Sequence, residues 1–231
     1  MGGTGTANGT REVTSALRWW LETGVDVAIQ ENPRNWLEGA KTLELAQAEA
    51  RAPSPNTLET FREWLSSSPD APLASAQSRA VLPQGAQGAQ VMILSDPPSR
   101  DELASGQPIG GLAAELMQRM LAAIGMAGQA YTANLACFRS PAARLSSAQM
   151  EECASAARRH VELARPRRLL LLGDAPSRTL LGKPLLEARG HVHKIEGVRT
   201  IATFHPRQLL KRPSDKALAW KDLLLLIEET S

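Results

Sequence analysis

The sequence is poor in cysteine and has no long apolar run. Its 231 residues include two cysteines, Cys137 and Cys153, which are too few for a disulfide scaffold or a four-thiolate metal site. No apolar run approaches the length that spans a bilayer, and no charged segment followed by an apolar one opens the chain. These absences predict a soluble, unexported protein without a membrane span, located in the reducing cytoplasm.

The charge is nearly balanced, with 26 basic and 24 acidic side chains and a formal net charge of +2. The overall charge therefore does not by itself require a polyanionic partner. The basic residues are clustered, however, at 158–159, at 165–168 and after residue 206. Each cluster is either a phosphate-facing patch or an ordinary solvated face, and the sequence leaves both interpretations open.

The length is sufficient for one domain with an extension. Residues 1–10 are rich in Gly and Thr and predict a disordered tail. Residues 11–89 predict a helical extension and a linker, with helices at 15–27 and 57–65 and a Ser-, Pro-, Ala- and Gln-rich stretch at 66–90. Residues 90–231 predict an α/β domain.

Short apolar runs alternate with helical patterns in this last part of the chain. The alternation favours a parallel sheet covered on both faces, and a helix opened by a capping box at Ser146 follows the second run. Ser214 is expected to cap the final helix. The predicted strands are 91–94, 131–138, 168–172 and 200–204, and the predicted helices are 110–124, 147–163, 175–181 and 215–229. The expected fold is a three-layer αβα arrangement with a central four-stranded parallel sheet.

Two polar residues directly follow predicted strands. Asp96 follows the first strand and His205 follows the last, next to Pro206. Because ligands of open α/β sheets bind at the carboxyl ends of the strands, we expect both side chains to face one crevice. Each also has a structural interpretation, Asp96 as a turn or helix cap and His205 as a core histidine. Asn134 lies inside an apolar strand, where its amide must find backbone or ligand partners.

Three segments, taken together, resemble the uracil-DNA glycosylase superfamily, nearest to the family 4 type of bacteria and archaea. Residues 95–111 are similar to that family's first motif, Gly-Glu-Ala-Pro-Gly-x-x-Glu-Asp-x-x-Gly-x-Pro-Phe-x-Gly, and Asp96 falls at its Glu. Residues 131–144 look like Tyr-x-x-Asn-x-x-x-Cys-Arg-Pro-Pro-x-Asn-Arg, and residues 204–210 resemble a closing His-Pro-Ser-x-Leu-Leu motif. The similarity covers about residues 90–228 and implies base excision from DNA. The stretch 17–26 also resembles an extension of some bacterial members.

The resemblance implies a role for each matching residue. Asp96 would activate a water and stabilise an oxocarbenium-like sugar, while His205 would donate to the O2 oxygen of the leaving base. Asn134 would read the Watson–Crick edge of a base flipped out of the stack. The remaining base-binding positions are Ile109, Pro98 and Ser99. The residues expected to contact DNA are Arg207, Lys211, Arg212, Arg139 and Arg144.

The chain departs from the family pattern at its cluster ligands. Family 4 members bind an iron–sulfur cluster through four cysteines, but here no cysteine precedes Cys137, Phe138 occupies the third ligand position, and only Cys153 matches. We therefore expect no cluster, no other cofactor and no metal. The His-x-His of His191 and His193, on a predicted hairpin, has no third ligand nearby.

The departures in the first motif leave two functions open. Ile109 replaces the aromatic residue that stacks on the base, Asp96 replaces Glu, and serines replace the two glycines. One hypothesis is a divergent, cluster-free glycosylase that removes uracil or another deaminated base from single- or double-stranded DNA. The alternative is a binding module that grips DNA or a protein with little or no excision. The protein is expected to be a monomer.

Overall fold

The structure is a computed structural model that describes residues 55–74, 79–140 and 144–228. The predicted tail at 1–10 and the predicted helix at 15–27 lie outside the described residues. The described residues form one compact unit. Within the described ranges, no helix is both long and apolar enough to cross a membrane.

A single sheet of five strands organises the unit, in the order β2-β1-β3-β5-β4. The four predicted strands are present and pair in parallel, as expected for strands joined by helices. β4 was not predicted as a strand, because three residues carry too little pattern. It pairs antiparallel with β5 as the hairpin that the sequence indicated. The strands are β1 (Val91–Ser95), β2 (Ala130–Asn134), β3 (Arg168–Leu172), β4 (His193–Ile195) and β5 (Val198–Thr203).

Helices cover both faces of this sheet. The long ones are α1 (Leu58–Ser67), α3 (Gly111–Ala123), α4 (Ser147–Ala164), α5 (Asp174–Leu181) and α8 (Lys216–Ile227). The short ones are α2 (Arg100–Ser105), α6 (Leu185–Ala188) and α7 (Pro206–Lys211), with a 3₁₀ turn at Pro213–Asp215. The short helices were not predicted, since four to six residues do not display a helical period.

Alternate residues of the central strands β1, β3 and β5 enter two separate hydrophobic cores. In β1, Met92 and Leu94 pack with α1 and α4, while Val91 and Ile93 pack with α3 and α8. This alternation is what a parallel sheet buried on both faces requires. The three-layer αβα architecture predicted from the sequence is therefore confirmed.

The carboxyl ends of the parallel strands lie in register. Ser95, the last residue of β1, pairs with Asn134 of β2 on one side and with Leu172 of β3 on the other, and Leu172 pairs with Thr203 of β5. The residues that follow β1, β3 and β5 therefore leave the sheet at one edge. This register brings Asp96 and His205 to the same end of the molecule.

Two local predictions differ from the structure, and a third is confirmed. β2 ends at Asn134 and not at Phe138, because the chain turns away after the Leu135 N–H donates to the Ser95 carbonyl. Ser214 does not cap α8, because it lies within the 3₁₀ turn and Asp215 occupies the N-cap position. The capping box at Ser146 is confirmed by hydrogen bonds in both directions with Gln149.

Part of the predicted linker lies against the sheet. The Gln84 N–H donates to the Thr132 carbonyl and the Thr132 N–H donates back, at 2.8 and 2.7 Å. The Val81 N–H donates to the Cys137 carbonyl at 2.8 Å. These bonds satisfy the outer edge of β2, which would otherwise expose unpaired backbone groups. The helix α1 also packs into the core on α4, where the ring of Phe61 lies 5.3 Å from that of His160.

Candidate active site

Asp96 is held at the carboxyl end of β1 by the start of α5. The backbone N–H of Ala175 donates to Asp96 Oδ1 at 3.3 Å. The carboxylate lies directly against Gly173, whose φ is +101°, and a Cβ at that position would meet Oδ1 at 2.6 Å. Only glycine provides both this backbone conformation and this close approach. Gly173 therefore helps to position the carboxylate, whereas the sequence predicted only that it forms the turn after β3.

The surroundings of Asp96 disfavour its charge. Burial raises the pKa of this carboxyl from 3.8 to about 6, and the neighbouring carboxylates of Glu102 and Asp174 add to the rise. The Arg207 guanidinium and the Ala175 N–H oppose it. Asp96 is therefore an ionised carboxylate at neutral pH, but one that gains a proton more readily than an exposed aspartate.

His205 presents a neutral imidazole with a defined tautomer. It is the N-cap of α7, and its Nδ1 accepts the backbone N–H of Arg207 at 3.1 Å. Burial, followed by the nearby Arg207 charge, lowers the pKa of His205 to about 3. The neutral ring must therefore carry its proton on Nε2. Among the residues that the structure describes, nothing accepts from this buried N–H.

Arg207 connects the two predicted catalytic residues. Its guanidinium lies 4.0 Å from Asp96 Oδ2 and 3.9 Å from Glu102 Oε2, and its Nε lies 3.4 Å from His205 Nδ1. One guanidinium group therefore lies beside both Asp96 and His205. Arg207 was predicted to contact DNA, and in the structure its charged end is directed to the site carboxylates.

Asn134 uses its amide nitrogen within the protein. Nδ2 donates to Ser95 Oγ, to the Asp96 carbonyl and to the Pro108 carbonyl at 2.9, 2.9 and 3.0 Å. Three acceptors occupy both N–H bonds, whereas Oδ1 is buried and has no partner within the described ranges. The amide nitrogen of Asn134 therefore has the structural role that the sequence left open, whereas the base-reading role of its oxygen stays a prediction. Ile109, next to Pro108, is buried in the core.

A cavity of about 590 Å³ opens beside Asp96. Its walls include Pro98 and three arginines, Arg139, Arg144 and Arg178, the last of which was not predicted. The other lining residues are Pro97, Ser140, Leu145, Met150, Asp174, Ala175 and Thr179. His205, Asn134 and Ile109 do not line this cavity. Of the acid and the histidine that were expected to face one crevice, only Asp96 borders it. The histidine and the amide are enclosed next to it.

The remaining predicted residues divide between the site and its surroundings. Ser99, predicted to bind a base, is the N-cap of α2: its Oγ accepts the Glu102 N–H at 3.4 Å. The Glu102 carboxylate accepts the Ser99 N–H at 2.8 Å, which completes a capping box. Lys211 and Arg212 are exposed at the end of α7. The Ser-x-x-Glu spacing could have identified the Glu102 capping role, but not its position near Asp96.

The residues present do not fit an iron–sulfur cluster. Cys137 and Cys153 are both buried, and burial raises the pKa of each thiol to about 12, which leaves them protonated. Two protonated thiols cannot replace four thiolate ligands. Phe138, at the third ligand position of the resemblance, is buried in the apolar core. His193 Nε2 bonds the Ala188 carbonyl at 2.7 Å, and the described ranges hold no group of three or more His, Cys, Asp or Glu placed to bind a metal.

Comparison with known proteins agrees with this arrangement. The sequence model of the uracil DNA glycosylase superfamily matches residues 82–224, which include all five strands and the site. A type-4 uracil-DNA glycosylase of Archaeoglobus fulgidus is 30% identical over 141 residues, which cover 56% of this chain and 71% of that protein. The match extends over more than half of the chain. The chain therefore belongs to the uracil DNA glycosylase superfamily.

Proposed function

We propose that this protein removes uracil, or another deaminated base, from DNA by hydrolysing the N-glycosidic bond. The observation that carries the proposal is the unpartnered Nε2–H of neutral His205, one guanidinium away from the buried carboxylate of Asp96. A buried donor without a partner costs about 1–3 kcal/mol of stability. A ligand carbonyl would recover this cost.

The two groups suit the two charges of glycosidic bond cleavage. As the bond between C1′ and the base nitrogen breaks, its electron pair moves onto the base and negative charge develops on the base carbonyl. A preorganised N–H donor in a buried site stabilises that charge. The sugar becomes cationic, and the Asp96 carboxylate stabilises it and orients a water whose oxygen bonds to C1′. The water proton passes to Asp96 or to the departing base.

Asn134 supports recognition of an amide-type base. Its Nδ2 is saturated by protein acceptors, so the group it offers to a ligand is the Oδ1 acceptor. An acceptor pairs with the ring N–H that uracil carries next to a carbonyl, and hypoxanthine and xanthine carry the same N–H. Because Oδ1 and the His205 Nε2 are both enclosed, neighbouring side chains must move as the base enters.

The arginines around the cavity suit the DNA backbone. Arg139, Arg144 and Arg178 line the space next to Asp96, where the phosphates on either side of a flipped nucleotide would pass. Arg178 forms an ion pair with Asp174. Lys211 and Arg212 are exposed and follow His205 closely in the sequence. This arrangement supports binding to single- or double-stranded DNA, and we propose that the protein acts as a monomer.

A strand-scission assay tests the proposal. Purified protein is incubated with labelled oligonucleotides that contain one uracil, hypoxanthine or xanthine, and abasic sites are then cleaved with alkali. We expect scission with at least one of these bases, reduced about 100-fold or more by Asp96→Asn and by His205→Gln. The control is Glu228→Gln, a change at an exposed residue at the end of α8.

The enclosure of His205 and Asn134 specifically favours the second candidate, a DNA-binding module without excision. This candidate predicts no scission with any of the three bases, together with DNA binding that weakens steeply as salt is raised. If the protein neither cleaves nor binds DNA at low salt, both candidates are wrong.

A further inference from the structure

Arg207 occupies an unusual place for a basic residue that follows a His-Pro pair. Its side chain is 36% exposed, and two of its guanidinium nitrogens face two different carboxylates. Asp96 comes from the end of β1 and Glu102 comes from α2, so one cation of α7 joins three elements. A residue that served only to grip phosphate would extend away from the site acids.

The second carboxylate makes this cation necessary. The Glu102 side chain is only 2% exposed, and its Oε1 has no partner within the described ranges. Its other oxygen accepts the Ser99 N–H, which fixes the carboxylate close to Asp96. Two neighbouring carboxylates repel each other, and a cation between them offsets this repulsion.

We propose that Arg207 is a positioning residue for Asp96, which bridges the Asp96 and Glu102 carboxylates and thereby keeps Asp96 charged and directed at the cavity. The catalytic meaning of this role rests on the proposed function, because it requires Asp96 to act on a sugar. The bridge itself does not require that function and can be measured directly.

Four groups on the surrounding elements act on the charge of Asp96. Arg207 from α7 and the Ala175 N–H from α5 favour the carboxylate form, whereas Glu102 from α2 and Asp174 from α5 disfavour it. The same cavity is lined by three further cations, Arg139, Arg144 and Arg178. Of the charged side chains that act on Asp96, Arg207 has the largest influence on its pKa.

The sign of one titration distinguishes electrostatic bridging from simple packing. If Arg207 only fills space, its removal admits water, relieves the burial of Asp96 and lowers the pKa of that carboxyl from about 6 toward 3.8. If Arg207 is the bridging cation, its removal raises the pKa further. An opposite charge at this distance shifts an aspartate by roughly 1–3 units, and the partial exposure of Arg207 places our expectation at about one unit.

The experiment follows the carboxyl carbon of Asp96 by NMR in the full chain labelled at aspartate. The Asp96→Asn variant identifies the signal. We expect the midpoint to rise by about one pH unit in Arg207→Gln and to fall in Glu102→Gln, which removes the repelling carboxylate. Arg207→Lys keeps the charge and should remain within about half a unit of the original protein. Arg207→Met fills much of the same space without the charge and should raise the midpoint as Arg207→Gln does, so it tests the proposal even if the glutamine variant folds poorly. Arg212→Gln, which removes an exposed charge at the end of the same helix, should leave the midpoint unchanged.

An unchanged or lowered Asp96 midpoint in a folded Arg207→Gln protein would overturn the proposal, whether or not the protein cleaves DNA. If excision is detected, the pKa of the low-pH limb of the kcat/KM profile should rise together with the carboxyl midpoint in Arg207→Gln. At a pH below that pKa, kcat/KM of the variant should be about tenfold lower than that of the original protein. Arg212→Gln should change the salt dependence of KM instead. If no base is excised, the proposed function fails while the titration still decides the role of Arg207.

Discussion

Replacing Asp96 with asparagine should make the protein more stable at neutral pH while removing the proposed activity. Burial raises the pKa of the Asp96 carboxyl from 3.8 to about 6, a rise of about two pH units. Each unit corresponds to 1.36 kcal/mol, which gives about 3 kcal/mol for a fully buried group. The side chain is 30% exposed, so screening by solvent reduces the expected gain to about 1–2 kcal/mol.

The gain depends on pH with a definite sign. The pKa of Asp96 is higher in the folded than in the unfolded chain, so the folded state binds the proton more tightly. The stability that this proton provides is complete below about pH 3.8 and is lost as the pH rises through about 6. Asparagine does not titrate. The variant should therefore match the original protein near pH 4 and exceed it by the full amount above pH 7.

Urea denaturation of both proteins across this pH range measures the difference, in which the other titrating groups cancel. Asp101→Asn, which removes an exposed carboxylate in the first turn of α2, is the matched control and should show no such gain. A difference between the Asp96→Asn variant and the original protein that stays flat with pH, or that decreases above pH 6, would show that the carboxylate is not strained by burial.

Three further predictions follow from the packing. Gly173→Ala should cost about 2–4 kcal/mol and displace the Asp96 carboxylate, whereas Gly182→Ala, also at positive φ but with open space at its Cβ position, should cost only about 1 kcal/mol; urea denaturation and the Asp96 carboxyl midpoint check both. Tyr131→Phe should lower the free energy of unfolding by about 1–3 kcal/mol, because the buried His160 Nε2 loses its 2.7 Å bond to the tyrosine hydroxyl. Both cysteines should resist a thiol reagent at pH 8 in the folded protein and react fully in denaturant, and iron analysis should find no stoichiometric cluster.

The strands of the sheet could be predicted from the sequence because each is encoded by a short apolar run and the turn residues next to it. The apolar runs at 91–94 and 168–172 are bounded by turn residues, and both are strands in the structure within one residue of the predicted ends. The capping box at Ser146 likewise involves groups three residues apart. The parallel pairing followed from helices between strands, and the register then brought the polar strand ends together.

The features that the sequence did not reveal depend on distant partners. The end of β2 depends on the hydrogen bond from the Leu135 N–H to the carbonyl of Ser95, a residue forty positions earlier in the chain. The stretch around Gln84 looked like linker because its composition is that of linkers, yet it pairs with the edge of β2. Arg207 was predicted to contact DNA from its place in a basic cluster and from the family resemblance of the segment around it. Its direction is determined by Asp96 and Glu102, which no local pattern places beside it.

The two principal groups of the site differ in how their chemistry is encoded. The tautomer of His205 is set by its immediate neighbours, because Pro206 has no N–H and the first available backbone donor, that of Arg207, bonds Nδ1. The charge of Asp96 is instead set by groups on three other elements. Substitutions elsewhere in the site can therefore shift the acid while the histidine donor persists. Arg207→Gln, for example, should change the pKa of Asp96 and keep the neutral Nε2–H donor of His205, because the bond to Nδ1 comes from the backbone N–H of residue 207.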